Sequence, residues 1–309
     1  PENEKELQKG KLIVEFPNTQ TVTLYGKDYT THYSFDRVFS PEASQLDIYQ
    51  FSIAETVDDL INGYNGTVLA YGQTGSGKSY TMLGGPQLLD PNSKGIIPRI
   101  SHEIFERISA NEAVSSEVEY SVCVSFMEIH MEQIRDLIDV VNNEFDHKFT
   151  IHEDKLNGIY VKGLATRLVT NELELLNILS EGLKYRSISS TQMNEESSRS
   201  HTIFQVKLTQ KHMETEVIKR SNLFLVDLAG SEKVDKTGAQ GQTLEEAKKI
   251  NSSLSALGNV INALTDGKST HIPYRDSKLT RILQESIGGN SRTSLIINCS
   301  PSSFRSEER

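Results

Sequence analysis

The stretch Gly72-Gln73-Thr74-Gly75-Ser76-Gly77-Lys78-Ser79 constrains this chain more than any other. It fits G-x-x-x-x-G-K-[ST], and an apolar run, Thr67-Val68-Leu69-Ala70-Tyr71, leads into it. A strand that turns through glycines into a helix lets backbone N–H groups converge on phosphate oxygens. In that arrangement Lys78 reaches the β- and γ-phosphates, and the Ser79 hydroxyl takes a place on Mg²⁺. The nucleotide-binding residues expected from the motif are therefore Gly72, Gln73, Thr74, Gly75, Ser76, Gly77, Lys78 and Ser79. The fold class that goes with it is α/β: a P-loop NTPase with a central, mostly parallel twisted sheet and helices on both faces.

Phosphoryl transfer also needs a carboxylate at the end of a neighbouring strand to hold water on the metal. Asp227 fits, because it follows Leu223-Phe224-Leu225-Val226 and precedes Leu228-Ala229-Gly230. The Gly230 amide is then placed to read the third phosphate. No [NT]-K-x-D guanine box occurs in the chain, which favours ATP over GTP.

The remaining pattern agrees with one large domain. The 309 residues contain no internal repeat and no Pro/Gly/Ser-rich linker. Glu119–Ile129 alternates as a strand does. Ser40-Pro41 reads as a helix start, with Ile48, Phe51, Val57, Leu60 and Ile61 running to a stop at Gly63. Thr243 and Glu246 form a capping-box pattern ahead of Leu244, Ala247, Ile250, Leu254, Leu257, Ile261 and Leu264. Those spacings predict a long amphipathic helix ending near Gly267.

The formal net charge of −10 argues against general nucleic-acid binding. Cys123 and Cys299 lie too far apart for a metal-type pair and read as reduced thiols. The polar start Pro1-Glu2-Asn3-Glu4-Lys5 is not a signal peptide, and no apolar run is long enough to span a bilayer. The expectation is a cytoplasmic protein without direct membrane contact.

Three segments together carry a family resemblance. They are the phosphate loop from Tyr71 to Met82, Asn194-Glu195-Glu196-Ser197-Ser198-Arg199-Ser200-His201, and Leu225-Val226-Asp227-Leu228-Ala229-Gly230-Ser231-Glu232. They resemble the P-loop, switch I and switch II of kinesin motor domains. The likeness extends through Lys249–Leu264 and His271–Gln284 and covers nearly the whole chain. Gly95–Ile100, Ile151–Leu164 and Leu264–Ser286 look most like conventional kinesin heavy chain, and Gln240–Lys249 resembles its fungal branch.

The resemblance implies roles. Ser197 and Ser198 would close over the γ-phosphate, with Ser198 joining Ser79 and Asp227 around the metal. Arg199 and Glu232 would pair as the switches close, and Glu232 would accept the attacking water's proton through a water chain. Pro1 and Tyr80 would hold adenine. Microtubules would be met by Lys233, Lys236, Lys248, Lys249, Lys268, Tyr274, Arg275, Lys278 and Arg281. The family pattern further implies microtubule-stimulated ATP hydrolysis, plus-end movement, a microtubule-associated location and a homodimer formed through a stalk outside this chain. Measured against that pattern, the first strand, last helix and neck linker are expected to be missing from this sequence.

Overall fold

The computed structural model describes residues 12–26, 29–88, 90–139, 149–155, 158–192, 198–232, 242–289 and 291–301, with backbone alone at 188–192, 242–248 and 250. A small antiparallel meander comes first: β1 (Val14–Asn18), β2 (Thr21–Tyr25) and β3 (Thr30–Ser34). Helices α1 (Gln45–Ser52) and α2 (Ala54–Ile61) lead to β4 (Asn65–Gly72), the phosphate loop, α3 (Lys78–Leu83) and α4 (Ile96–Val114). Then come β5 (Val118–His130), β6 (Gln133–Asp136), the hairpin β7 (Thr150–Asp154) and β8 (Gly158–Lys162), and β9 (Arg167–Val169). Helix α5 (Glu172–Gln192), β10 (His201–His212), β11 (Ile218–Asp227) and α6 (Gln242–Thr265) follow. A 3₁₀ turn (Tyr274–Asp276), α7 (Lys278–Ile282), α8 (Gln284–Gly288) and β12 (Ser291–Asn298) complete the order.

The main sheet runs β12-β4-β11-β10-β5-β6, with β9 also on β5. It is mixed, which corrects the expectation of a mostly parallel sheet. β12, β4 and β11 run parallel, whereas β11–β10, β10–β5, β5–β6 and β5–β9 pair antiparallel. The reason is connection length. β10 and β11 are joined by only Met213 to Val217, too short for a parallel crossover.

Alternation places side chains on both faces of this sheet. Val68, Ala70, Val124, Phe126, Phe204, Val206, Leu223 and Leu225 pack with α1, α2, α4 and α5 residues such as Tyr49, Val57, Ile100, Ile104 and Leu175. Their neighbours Leu69, Met127, Ile203, Phe224 and Val226 point the other way, onto Leu257 of α6 and Leu279 and Ile282 of α7. Phe126 and Phe204 meet edge to face at 5.4 Å. Emptying either position would cost about 3–5 kcal/mol.

Two helix boundaries are informative. Residues 41–42 form a turn, closed by Ala43 N–H donating to the Ser40 carbonyl, so the helix does not begin at Ser40-Pro41. It begins one turn later, where Ser44 and Asp47 form a reciprocal capping box. Helix α6 starts by Gln242, as the apolar spacing predicts, and ends just before Gly267, which adopts a φ of 63°. The side chains of Thr243 and Glu246 lie outside the described set.

β12 forms one border of the sheet, and among the described residues nothing pairs with its outer side. Leu295 and Ile297 on it are 47% and 40% exposed.

Candidate functional site

Parallel strands β4 and β11 end side by side, with Asp227 opposite Ala70. The phosphate loop and the switch II carboxylate therefore share one end of the sheet, where open α/β folds bind ligands. Gly72 leaves β4 at a φ of 150°, and a Cβ there would stand 2.2 Å from the carbonyl oxygen of Asn298, the last residue of β12. Only glycine lets the loop turn this close to a neighbouring strand.

Lys78 is buried, and its ammonium donates to the carbonyls of Gly72 and Gln73, each at 2.9 Å. Burial lowers its pKa, while Asp227 and Glu232 pull the other way. The Ser76 hydroxyl donates to the Gln73 carbonyl at 2.8 Å. Thr74 presents both its amide and its hydroxyl inward, and Tyr80 stands half exposed on α3, its carbonyl held by Gln45 at 2.7 Å. Gly75 turns the loop at a φ of 81°, and Gly77 caps α3.

Ser79 donates to one Asp227 carboxylate oxygen at 2.5 Å. The other oxygen, Oδ1, is buried and has no hydrogen-bond partner among the described residues. Burial raises the Asp227 pKa. A buried, unpartnered carboxylate oxygen beside the Ser79 hydroxyl suits a hydrated hard cation, so Ser79 and Asp227 fit Mg²⁺.

The two switches touch. The Gly230 amide donates to the Ser198 carbonyl at 2.8 Å, and the Ser231 amide to the Gly72 carbonyl at 3.2 Å. Glu232 accepts from the Thr74 amide at 2.9 Å and from the Thr74 hydroxyl at 2.5 Å. Arg199 is half-buried. A carboxylate thus sits on a phosphate-loop amide, the kind of group that also binds phosphate. Ser197 and Pro1 lie outside the described residues.

The expected microtubule residues divide. Lys249, Lys268 and Arg275 are exposed, and Lys278 is half-buried at the start of α7. Arg281 is instead tied to Glu153 of β7 and to Gln284. Tyr274 lies over Gly288, where a Cβ would collide with its hydroxyl. Both are half-buried and hold these contacts at the surface. Lys233 and Lys236 lie outside the described residues, and of Lys248 only the backbone on α6 is described.

Sequence reasoning missed three groups. Glu132 sits at φ 63° in the tight β5–β6 turn, where its carboxylate accepts from the Ser277 hydroxyl at 2.7 Å and the Lys278 amide at 2.6 Å, capping α7. Glu128, 2% exposed, accepts from Arg186 Nε at 3.0 Å, Arg135 at 3.2 Å and the Ser200 hydroxyl at 2.5 Å, anchoring switch I to α5 and β5. His201 is fully enclosed between switch I, switch II and α6. No local spacing signals any of these, because each partner set is brought together from distant segments.

The kinesin motor domain family profile matches residues 1–309. The chain is 57% identical to the kinesin heavy chain of Neurospora crassa over 309 residues, all of this chain and 32% of that protein. It is 54% identical to kinesin-like protein 3 of Schizosaccharomyces pombe, again over its whole length and over 54% of the relative. A solved structure of a fast kinesin superimposes with a TM-score of 0.91 at 56% identity, covering all of this chain and 85% of that one. The chain thus spans about a third of the length of the heavy chain it matches. Its phosphate loop, its two touching switches and its full-length match together place it in the kinesin motor-domain family.

Proposed function

We propose that this chain hydrolyses ATP in a cycle coupled to microtubule binding, and that the cycle drives movement along microtubules. The observation that carries the reading is the continuous contact from phosphate loop to long helix. Thr74 holds Glu232, and the carbonyl of Glu232 accepts from Asn251 of α6 at 3.3 Å. One end of this path is built for phosphates, and the other lies on the helix that carries Lys249.

The residues divide the chemistry between them. Lys78 and the loop amides bind and orient the β- and γ-phosphates. Ser79, Ser198 and Asp227 would hold Mg²⁺, which neutralises charge on the phosphate oxygens. The Gly230 amide reports the third phosphate by exchanging its bond to Ser198 for one to phosphate. Glu232, released from Thr74, becomes available to take the proton of the attacking water, with Arg199 as its partner in the closed state. Adenine would rest between Pro1 and Tyr80. Positioning and electrostatics of this kind supply most of the rate in phosphoryl transfer.

The wider reading follows the relatives: a plus-end transport motor of the conventional type, working in the cytoplasm as a homodimer joined beyond this segment. Phosphate release measured with and without microtubules tests the core claim. Strong acceleration is expected. Equal rates would leave a nucleotide-binding scaffold in place of a motor.

A further inference from the structure

His201 opens β10 and is 2% exposed. Its Nδ1 accepts from the backbone N–H of Ala229 at 3.0 Å, one residue before Gly230. Its Nε2 lies 2.7 Å from the hydroxyl oxygen of Ser253, on α6. These two contacts fix the ring's chemistry. A backbone amide can only donate, so Nδ1 is the unprotonated nitrogen. A neutral imidazole then carries its proton on Nε2 and donates it to Ser253. Burial, with Arg186 and Lys78 nearby, keeps the ring neutral.

One rigid ring therefore bonds two elements that a motor must couple, the phosphate-sensing loop and the long helix. Ser253 is itself 4% exposed, so water does not compete for the bond. The other side-chain link between them described above, Asn251 to the Glu232 carbonyl, is longer at 3.3 Å. On its own strand His201 follows Ser200, which Glu128 and Arg186 hold, so the ring has a fixed base on the sheet. A movement of Ala229 and Gly230 changes the Nδ1 bond first, and the same ring passes that change to α6.

We propose that His201 is a positioning residue for nucleotide–microtubule coupling, transmitting displacement of the Ala229–Gly230 loop to α6 through Ser253. The proposal rests on the motor reading above and names the element that carries its coupling.

The test compares microtubule affinity with a non-hydrolysable ATP analogue and with ADP, for the wild type, Ser253→Ala, His201→Asn and the double variant. Asparagine places its carbonyl oxygen near Nδ1, so it keeps the Ala229 bond and loses reach to Ser253. Alanine suits a helix interior, so Ser253→Ala keeps α6 intact. The wild-type affinity ratio between the two nucleotide states should fall roughly five-fold in Ser253→Ala, the worth of one ordinary hydrogen bond. Its phosphate release without microtubules should not change. The double variant should lose no more than the larger single loss, since the two groups act through one bond. An unchanged ratio in Ser253→Ala, or independent multiplying losses in the double variant, overturns the proposal. A wild-type ratio of one instead sinks the motor reading itself and takes this inference with it.

Discussion

Acidification should destabilise this protein through His201 before its carboxylates titrate. The folded ring is held at a pKa of about 3, chiefly by burial, with Arg186 and Lys78 adding to the depression. In the unfolded chain an imidazole titrates near 6.5. Between those values the unfolded state binds a proton that the folded state refuses, so stability falls as pH falls. The contribution is intact above about pH 6.5 and is lost progressively down to about pH 3. At pH 5, about 1.5 units below the unfolded value, the loss comes to about 2 kcal/mol. Urea unfolding followed by circular dichroism at pH 7.5, 6.5, 5.5 and 5 measures it. His201→Gln cannot take up the proton, so its stability should start lower yet fall less steeply. Carboxylates titrate alike in both proteins and cancel in the comparison. Parallel pH profiles for the wild type and His201→Gln would mean that the ring is not held neutral in the folded state.

Other perturbations address the nucleotide site and the surface. Lys78→Ala should abolish tight nucleotide binding while leaving the fold intact, seen as lost binding of a fluorescent ATP analogue with an unchanged circular dichroism spectrum. Gly230→Ala places a Cβ 2.3–2.5 Å from both Glu232 oxygens and the Thr74 hydroxyl, so those contacts must break. It should shrink the ratio of microtubule affinities between ATP-analogue and ADP states toward one by co-sedimentation, and a wild-type ratio in the variant would remove Gly230 from the coupling path. Lys278→Ala should raise the microtubule concentration giving half-maximal phosphate release, with the basal rate preserved. Arg281→Ala should also lower the unfolding midpoint, because it frees Glu153 of the β7–β8 hairpin from α7.

How much of this was legible follows from how local each signal is. The phosphate loop, the Asp227 strand and the α6 stripe are contiguous patterns, and each sits where its residues predict. Strand direction is not written in alternation, so β5 and β10 could be recognised as strands without revealing that they run antiparallel. The Met213–Val217 connection carries that information, since five residues cannot make a parallel crossover. Gly158, which opens β8, takes a positive φ of 64°. Ser44-x-x-Asp47 outcompeted Ser40-Pro41 because its two bonds satisfy helix amides that the proline position leaves open. Arg281 reads in sequence as a surface cation, and in the fold it also pairs with Glu153 of β7, a partner that no local spacing signals. The roles of the Glu128 cluster and of His201 are not written locally, since Arg186 and Ser200 lie 58 and 72 residues from Glu128 and Ser253 lies 52 from His201.

The border strand β12 has a mechanical meaning. Its last residue, Asn298, packs its carbonyl against Gly72, and its side-chain amide donates to Thr81 of α3 at 2.9 Å. The phosphate loop is therefore braced from the rim of the sheet, not from its middle. Whatever shifts Asn298 therefore shifts both the first glycine of the loop and the helix behind it, so slack at the edge of the sheet is felt where the phosphates would sit.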